Sequence, residues 1–371
     1  MKNKKMIFLV GGGTGGHFVP LYALFNEIKK QNPSQKVLII GGGGPLEEKY
    51  FKGTKEYRIL TTGKIHRSFT FRNLWQLILL VWGIFSALFL ILREKPRIIF
   101  SKGGFVSWPI ILWARILKIP YFIHESDVAM GLANRFSFNG AKKVFVGFPL
   151  ENYPEDDRKK LIFSGQISDK EKSENHTKYD FGFTENKPII LVTGGSQGAK
   201  KINRIIYDSL PLLLNKYNII HQVGSLDYPS AIDIRSKVPE DKKNSYFISD
   251  FLGKSGDVNL MERAISVADL IISRASATTI AEIASFAKPM ILIPYKYAAL
   301  NHQEKNAEIL KKADAAVVMT EDQCDERNLF GQIEQLFTNP KAMRELGRNA
   351  KQYFPENGAK TIANQIMKEV L

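Results

Sequence analysis

Three stretches of the 371-residue chain set small residues where a strand-like run gives way to a helix, and each can offer backbone amides to an anion. The first is Gly11-Gly12-Gly13-Thr14-Gly15-Gly16-His17, whose glycines let the main chain come close to a ligand. His17 stands where the helix starts, and the positive end of the helix dipole favours neutral imidazole, the form that accepts a proton. It is therefore a candidate general base, with capping of its own helix as the plainer role. The turn contains G-x-G-x-x-G, but a dinucleotide fold needs an acidic residue closing the second strand. That strand runs into Gly41-Gly42-Gly43-Gly44, and Glu47 and Glu48 fall too far along, which disfavours nicotinamide binding.

The second stretch, Gly194-Gly195-Ser196-Gln197-Gly198, lacks the lysine of a Walker loop, because Ala199 follows it. Ser196 can still donate to a phosphate oxygen or cap the helix. The third runs from Arg274 to Glu282: small residues open a helix and leave amides for a pyrophosphate. Glu282, about a turn and a half in, can take two ribose hydroxyls or lie solvated. Asn301-His302-Gln303 follows the next strand with amide and imidazole groups. The six histidines (His17, His66, His124, His176, His221, His302) are far apart and no D-x-D occurs, so no metal site is indicated.

These stretches need strands beneath them. Apolar runs at Met6–Val10, Lys36–Ile40, Arg97–Ser101, Pro120–His124 and Lys143–Val146 alternate with helical stretches, and Leu161–Gly165 is a further candidate strand. Such short runs suit a parallel sheet covered on both faces. From Ser168 to Lys187 the chain is polar and reads as an inter-domain hinge. The pattern restarts at Pro188–Thr193 and continues through Asn218–Val223, Ser245–Ile248, Asp269–Ser273 and Pro289–Pro294, giving two similarly built α/β halves.

Length alone favours two domains, and 44% hydrophobic with 24% charged residues excludes a disordered or collagen-like chain. The single cysteine, Cys324, excludes an internal disulfide framework and suits a reducing cytoplasm. Of the net charge of +15, residues 1–170 carry +14, from 26 Lys and Arg against 12 Asp and Glu. An anionic partner of the first half follows: a membrane surface, nucleic acid or a phosphorylated substrate, unless the charge serves solubility alone. Lys2, Lys4 and Lys5 before Met6–Val10 imitate a signal peptide, but the apolar run ends at Gly11.

Asn73 to Leu92 holds no charge and is dominated by Leu, Ile, Phe, Trp and Val. It is long enough to span a bilayer, but Asn73, Gln76, Gly83 and Ser86 interrupt it, and a span would put the next strand on the wrong side. Insertion into one leaflet through Trp75, Leu77, Leu80, Trp82 and Phe89, with Lys64, Arg67, Arg72, Arg93 and Lys95 as basic flanks, is the preferred expectation; a buried helix is the other.

Gly11–His17, Gly103-Gly104-Phe105, His124-Glu125 with Gly131 and Asn134, Gly194–Gly198 with Asn203, and Arg274–Glu282 followed by Asn301-His302-Gln303 resemble, in order and spacing, the MurG family of peptidoglycan N-acetylglucosaminyltransferases in glycosyltransferase family 28. The resemblance covers nearly the whole chain. It implies an α/β GT-B fold, with two Rossmann-like domains of parallel sheets facing across a cleft. The expected division is 1–167 for acceptor and membrane, 168–345 for the sugar nucleotide, and 346–371 as a carboxy-terminal helix returning to the first domain.

The implied reaction moves N-acetylglucosamine from UDP-N-acetylglucosamine to an undecaprenyl-pyrophosphate-linked acceptor, with inversion, without a cofactor, an essential metal or nucleic acid. It would occur at the anionic cytoplasmic face of the cell membrane. Carried over residue by residue, the resemblance sets Thr14, Gly15, Gly16, Asp127, Ser196, Leu252, Ala277, Thr278, Thr279, Ile280, Ala281, Glu282 and Gln303 at the donor, and Gly13, Gly103 and Gly104 at the acceptor pyrophosphate. An inverting transfer needs a base, for which His17 is the candidate and Glu125 its partner or substitute. The chain departs from the family at Ser126-Asp127, where Gln-Asn is usual, and at Gln166-Ile167-Ser168-Asp169, where Asn-Pro-x-Arg is usual. A transferase acting on another membrane lipid such as a diacylglycerol, a sugar-nucleotide 2-epimerase, and a donor-binding module without turnover remain alternatives.

Overall fold

The computed structural model describes residues 5–12, 15–44, 47–48, 51, 54–63, 72–168, 177–195, 197–255, 258–355 and 357–370. Gly13, Thr14 and Ser196, named above as candidates, lie outside them, as do Lys64, Arg67, Asp169 and Lys170. The chain forms two units: Met1–Asp169 with Pro355–Leu371, and Lys170–Phe354.

The first unit holds β1 (Met6–Gly11), β2 (Val37–Gly41), β3 (Tyr57–Ile59), β4 (Pro96–Gly103), β5 (Tyr121–Glu125), β6 (Lys143–Val146) and β7 (Leu161–Phe163). They form one parallel sheet in the order β3-β2-β1-β4-β5-β6-β7. Every residue of β2 and β5 is buried, and β2 accordingly reads as an unbroken apolar run, whereas β5 ends in the buried polar pair His124 and Glu125. The strand order reverses between β1 and β4, and the loops after those two strands therefore border the crevice where such sheets take ligands. Helices α1 (Gly15–Gln31), α2 (Arg72–Glu94), α3 (Ser107–Ile116) and α4 (Leu132–Phe138) connect the strands.

The second unit repeats the plan. Strands β8 (Ile189–Thr193), β9 (Asn218–Gln222) and β10 (Tyr246–Ser249), the short antiparallel pair β11 (Lys254–Ser255) and β12 (Val258–Asn259), then β13 (Leu270–Ser273), β14 (Met290–Leu292) and β15 (Val317–Val318) follow in the chain. The parallel sheet runs β10-β9-β8-β13-β14-β15 and reverses between β8 and β13. Helices α5 (Lys200–Lys216), α6 (Ala277–Ser285) and α7 (His302–Lys312) include the two that leave from β8 and β13.

The sequence missed β3 and β15, edge strands of three and two residues that are too short to carry a pattern. The polar stretch from Ser168 to Lys187 is not all hinge. Phe181 and Phe183 are buried in the second unit, and Phe181 meets Phe247 edge-on at 5.2 Å.

Helix Pro340–Tyr353 belongs to the second unit, where a Cβ on Gly347 would lie 2.0 Å from the Ala287 carbonyl oxygen. The returning segment thus begins at Pro355 instead of 346. Its helix, Gly358–Val370, buries Ile362, Ala363, Ile366, Met367 and Val370 in the core that contains Leu21, Leu24 and Ile28 of α1. Asn364 accepts from Gln31 at 2.9 Å, and Glu369 pairs with Lys142 at 2.7 Å.

Along α2 only a narrow edge is covered: Gly83, Ala87 and Ile91, spaced by four, face the unit, and the Trp113 indole donates to the Ile84 carbonyl at 2.8 Å. Trp75, Ile78, Trp82, Phe85, Phe89 and Leu92, at alternating steps of three and four, form the exposed stripe, with Phe89 66% exposed. Leu77 is exposed too, whereas Leu80 is half-buried. This overturns the buried-helix expectation. Although α2 is long and apolar enough to cross a membrane, β2 before it and β4 after it flank β1 in one sheet, so it does not separate them across a bilayer.

Truncating Ile366 to Ala should cost about 2–5 kcal/mol, because it opens a cavity in the first unit's core. Urea unfolding with an unchanged midpoint would show that the terminal helix does not contribute to that core.

Candidate functional site

At the first crevice β1 and β4 end side by side, with Gly11 paired to Gly103. The half-buried His17 ring lies in the first turns of α1, its Nδ1 3.3 Å from the Lys102 carbonyl oxygen. A carbonyl only accepts, so this contact selects the tautomer with the proton on Nδ1 and leaves Nε2 as the acceptor. Burial, then the Lys102 charge, pulls His17 down to about 4, so the ring is neutral at physiological pH. Gly103 and Gly104 take φ of +90° and +83°. A Cβ on Gly104 would meet the Gly12 carbonyl oxygen at 2.8 Å and His17 Cδ2 at 3.5 Å, so only glycine allows this approach. Of the three glycines expected at the acceptor pyrophosphate, Gly13 lies outside the described residues, and Gly103 N–H already donates to Ser101 Oγ at 3.1 Å. Gly15 begins α1 and Gly16 is exposed with open space at its Cα.

Glu125 is occupied differently from its expected part as partner of His17. Its carboxylate accepts from Asp127 N–H at 3.1 Å, Gly131 N–H at 2.8 Å and Asn134 Nδ2 at 2.9 Å, while the His17 ring bonds to Lys102. Glu125 therefore holds the 126–131 loop in shape. Burial, then Asp127, raises its pKa despite these donors.

Glu47, set aside by sequence distance, folds back to this crevice: a Cβ on Gly12 would lie 2.8 Å from its Oε1. Its Oε2 accepts from Gly43 N–H at 2.8 Å and Tyr57 O–H at 2.7 Å, so the carboxylate anchors the second glycine turn.

At the second crevice the turn after β8 is locked against the turn after β9. A Cβ on Gly198 would sit 2.1 Å from the Val223 carbonyl oxygen, and one on Gly224 2.4 Å from that of Gln197. Buried Gln222 donates to the Gly195 carbonyl at 2.7 Å and accepts from Leu252 N–H at 2.9 Å, tying the turn to the buried Leu252. Asn203 on α5 donates to the Val223 carbonyl at 2.8 Å and to Asp227 at 2.7 Å.

Helix α6 starts without a side-chain cap: Ser276 Oγ donates to Thr279 Oγ1 at 2.8 Å and leaves the first-turn amides of Ala277, Thr278 and Thr279 open. Ala277 and Ile280 are buried, while Thr278, Thr279, Ala281 and Glu282 are half-buried. Burial, then the nearby Glu262 carboxylate, lifts Glu282 to about 7.

Arg274 does not reach outward: it pairs with Glu321 at 2.6 Å, both buried, and donates to the Ile293 carbonyl at 3.0 Å. Gln303 Oε1 accepts from Tyr295 N–H at 2.9 Å, which leaves its NH2 as a donor.

Sequence reading missed Lys102, Gln222, Glu262 and Asn306. The last is fully buried and donates to the Ala275 carbonyl at 3.1 Å, tying α7 to the loop before α6. Polar residues at or beside the ends of apolar strands were the available signal for Lys102 and Gln222; Glu262 and Asn306 had none.

Two doubly wound parallel sheets with glycine-lined crevices define an α/β protein of two Rossmann-like domains. The chain belongs to glycosyltransferase family 28, whose N-terminal domain matches residues 7–146 and whose C-terminal domain matches 189–366. A Clostridium botulinum (strain Kyoto / Type A2) relative, named UDP-N-acetylglucosamine–N-acetylmuramyl-(pentapeptide) pyrophosphoryl-undecaprenol N-acetylglucosamine transferase, is 34% identical over 369 residues, 98% of this chain and 99% of its own. A Bacillus anthracis relative with that name and the suffix 2 is 32% identical over 371 residues, again 98% and 99%. Acinetobacter baumannii MurG, a crystal structure 24% identical over 98% of this chain and 99% of its own, has a TM-score of 0.71 and shows the shared fold.

Replacing Glu282 by Gln tests the second crevice. Its carboxyl has a native pKa of about 7 against an ordinary 4.5, so the folded state disfavours the ionised form. The variant should gain stability over the parent as pH rises through that interval, fully above pH 7 and not at all below 4.5. Melting temperatures at the two ends of the interval check this; equal differences at both would contradict it.

Proposed function

We propose that this chain transfers N-acetylglucosamine from UDP-N-acetylglucosamine to the 4-hydroxyl of undecaprenyl-pyrophosphoryl-N-acetylmuramoyl-pentapeptide, lipid I, with inversion, yielding lipid II for peptidoglycan. The observation that carries this reading is 34% identity, across 98% of the chain, to a relative whose name states that transfer.

In this reading each group has a task. His17 Nε2 takes the proton of the acceptor hydroxyl while Lys102 holds Nδ1–H. The freed oxygen attacks C1 of the sugar, and the bond from C1 to the diphosphate oxygen breaks. Open amides at the start of α6 and the Gln303 NH2 receive the negative charge that develops on the departing UDP. Glu282 accepts from the ribose hydroxyls, and Leu252 supports the uracil. Gly15 and Gly16 approach the donor sugar, Gly104 approaches the acceptor pyrophosphate, and Asp127 lies beside the sugar. The exposed stripe of α2, with basic Arg93 and Lys95 at its end, seats the protein on the anionic cytoplasmic face of the membrane as a peripheral enzyme.

Incubation with radiolabelled UDP-N-acetylglucosamine and a lipid I analogue tests this directly. Label must appear on the lipid; isomerised nucleotide would indicate an epimerase, retained unreacted donor a binding module, and transfer only to diacylglycerol another acceptor. In the same assay His17→Ala should lower kcat by about 10²–10⁴ with little change in donor KM. A loss of less than about tenfold would remove His17 from the role of base. Changing Trp82, Phe85 and Phe89 together to Ser should abolish sedimentation with anionic vesicles while leaving the melting temperature near that of the parent. Sedimentation that persists removes α2 as the membrane contact.

A further inference from the structure

Lys102 is the last residue of β4 before the paired glycines and is 2% exposed. Its ammonium donates to Ser126 Oγ at 2.6 Å, and its carbonyl oxygen is the one that meets His17 Nδ1. One residue thus touches both the imidazole and the loop that carries Asp127. Its ammonium is turned into the interior, against the Ser126 hydroxyl.

We propose that Lys102 is a positioning residue of the transfer, fixing the His17 ring through its carbonyl and, through Ser126 and Asp127, setting the charge that the ring experiences. The proposal rests on the reading of His17 as the base. The ionisable groups around the ammonium are His17 from α1, His124 and Glu125 from β5, and Asp127 from the loop after β5. Burial lowers Lys102 to about 8, against the opposing pull of Glu125 and then Asp127, so it is charged at neutral pH. A fixed positive charge there disfavours a second one on His17 and on His124. Asp127 pulls His17 the other way. The departure at Ser126-Asp127 then has a physical counterpart: the hydroxyl receives the buried ammonium and the carboxylate compensates its charge.

The test is an NMR titration of the His17 ring in the full-length protein, its resonance assigned with His17→Gln, alongside the pH profile of kcat. Lys102→Met should move the His17 midpoint upward and Asp127→Asn should move it downward, each by about half a unit to one unit. The acid limb of kcat should follow both. A merely structural lysine would lower activity without these opposite movements. Midpoints that stay within about 0.2 unit of the parent, or that move in the same direction, overturn the proposal. If Lys102→Met does not fold, the closer isostere Lys102→Gln decides: an upward shift of the His17 midpoint supports the coupling and an unmoved midpoint overturns it. If the midpoints move as expected but the acid limb does not, His17 is not the base and the coupling to Lys102 stands.

Discussion

In a parallel sheet every strand ends on the same edge, and where the strand order reverses, two neighbouring loops turn away from each other and leave a gap. This constraint organises both units. The reversal falls between β1 and β4 in the first and between β8 and β13 in the second. The glycine turn after β1, the Lys102-Gly103-Gly104 corner that ends β4, the glycine turn after β8 and the small residues before α6 all lie at the ends of the four strands that border these gaps. Backbones must also pass within van der Waals distance there, as at Gly104 against Gly12 and Gly198 against Val223, which only residues without a Cβ permit.

Within that frame the two crevices treat charge in opposite ways. The first is closed on itself: Glu125 spends its carboxylate on three donors and Lys102 has Ser126. The His17 imidazole is kept neutral and turned to accept. The second is left open, with uncapped amides at the start of α6 and a carboxyl at Glu282 whose neighbours resist its ionisation. A closed, preorganised set suits a proton acceptor, whereas open donors and acceptors suit the capture of a polar ligand. The Arg274–Glu321 pair belongs to the scaffold: it neutralises a buried guanidinium beneath the loop before α6.

Helix α2 shows what composition can and cannot say. An uncharged apolar run of bilayer length is compatible with crossing a membrane, lying on one or filling a core. Only the contacts of Gly83, Ala87 and Ile91, and the sheet shared by β1, β2 and β4, separate these cases and leave a full apolar stripe uncovered.

The sequence by itself determined the buried strands, the repeat of two α/β halves and the glycine turns at their ends, because unbroken runs of Val, Ile and Phe and clustered glycines are local signals. The edge strands β3 and β15 escaped it for lack of length, and Phe181 and Phe183 were hidden in a polar stretch. The tertiary structure alone decided the partners: Glu125 with Asn134 and not His17, Glu47 returning to Gly43 and Tyr57, Lys102 reaching Ser126, and Asn306 reaching Ala275. Lys102 and Ser126 lie 24 residues apart in the chain, and Asn306 and Ala275 31. A buried polar group takes whichever partner the packing delivers within about 3 Å, a distance that no local pattern encodes.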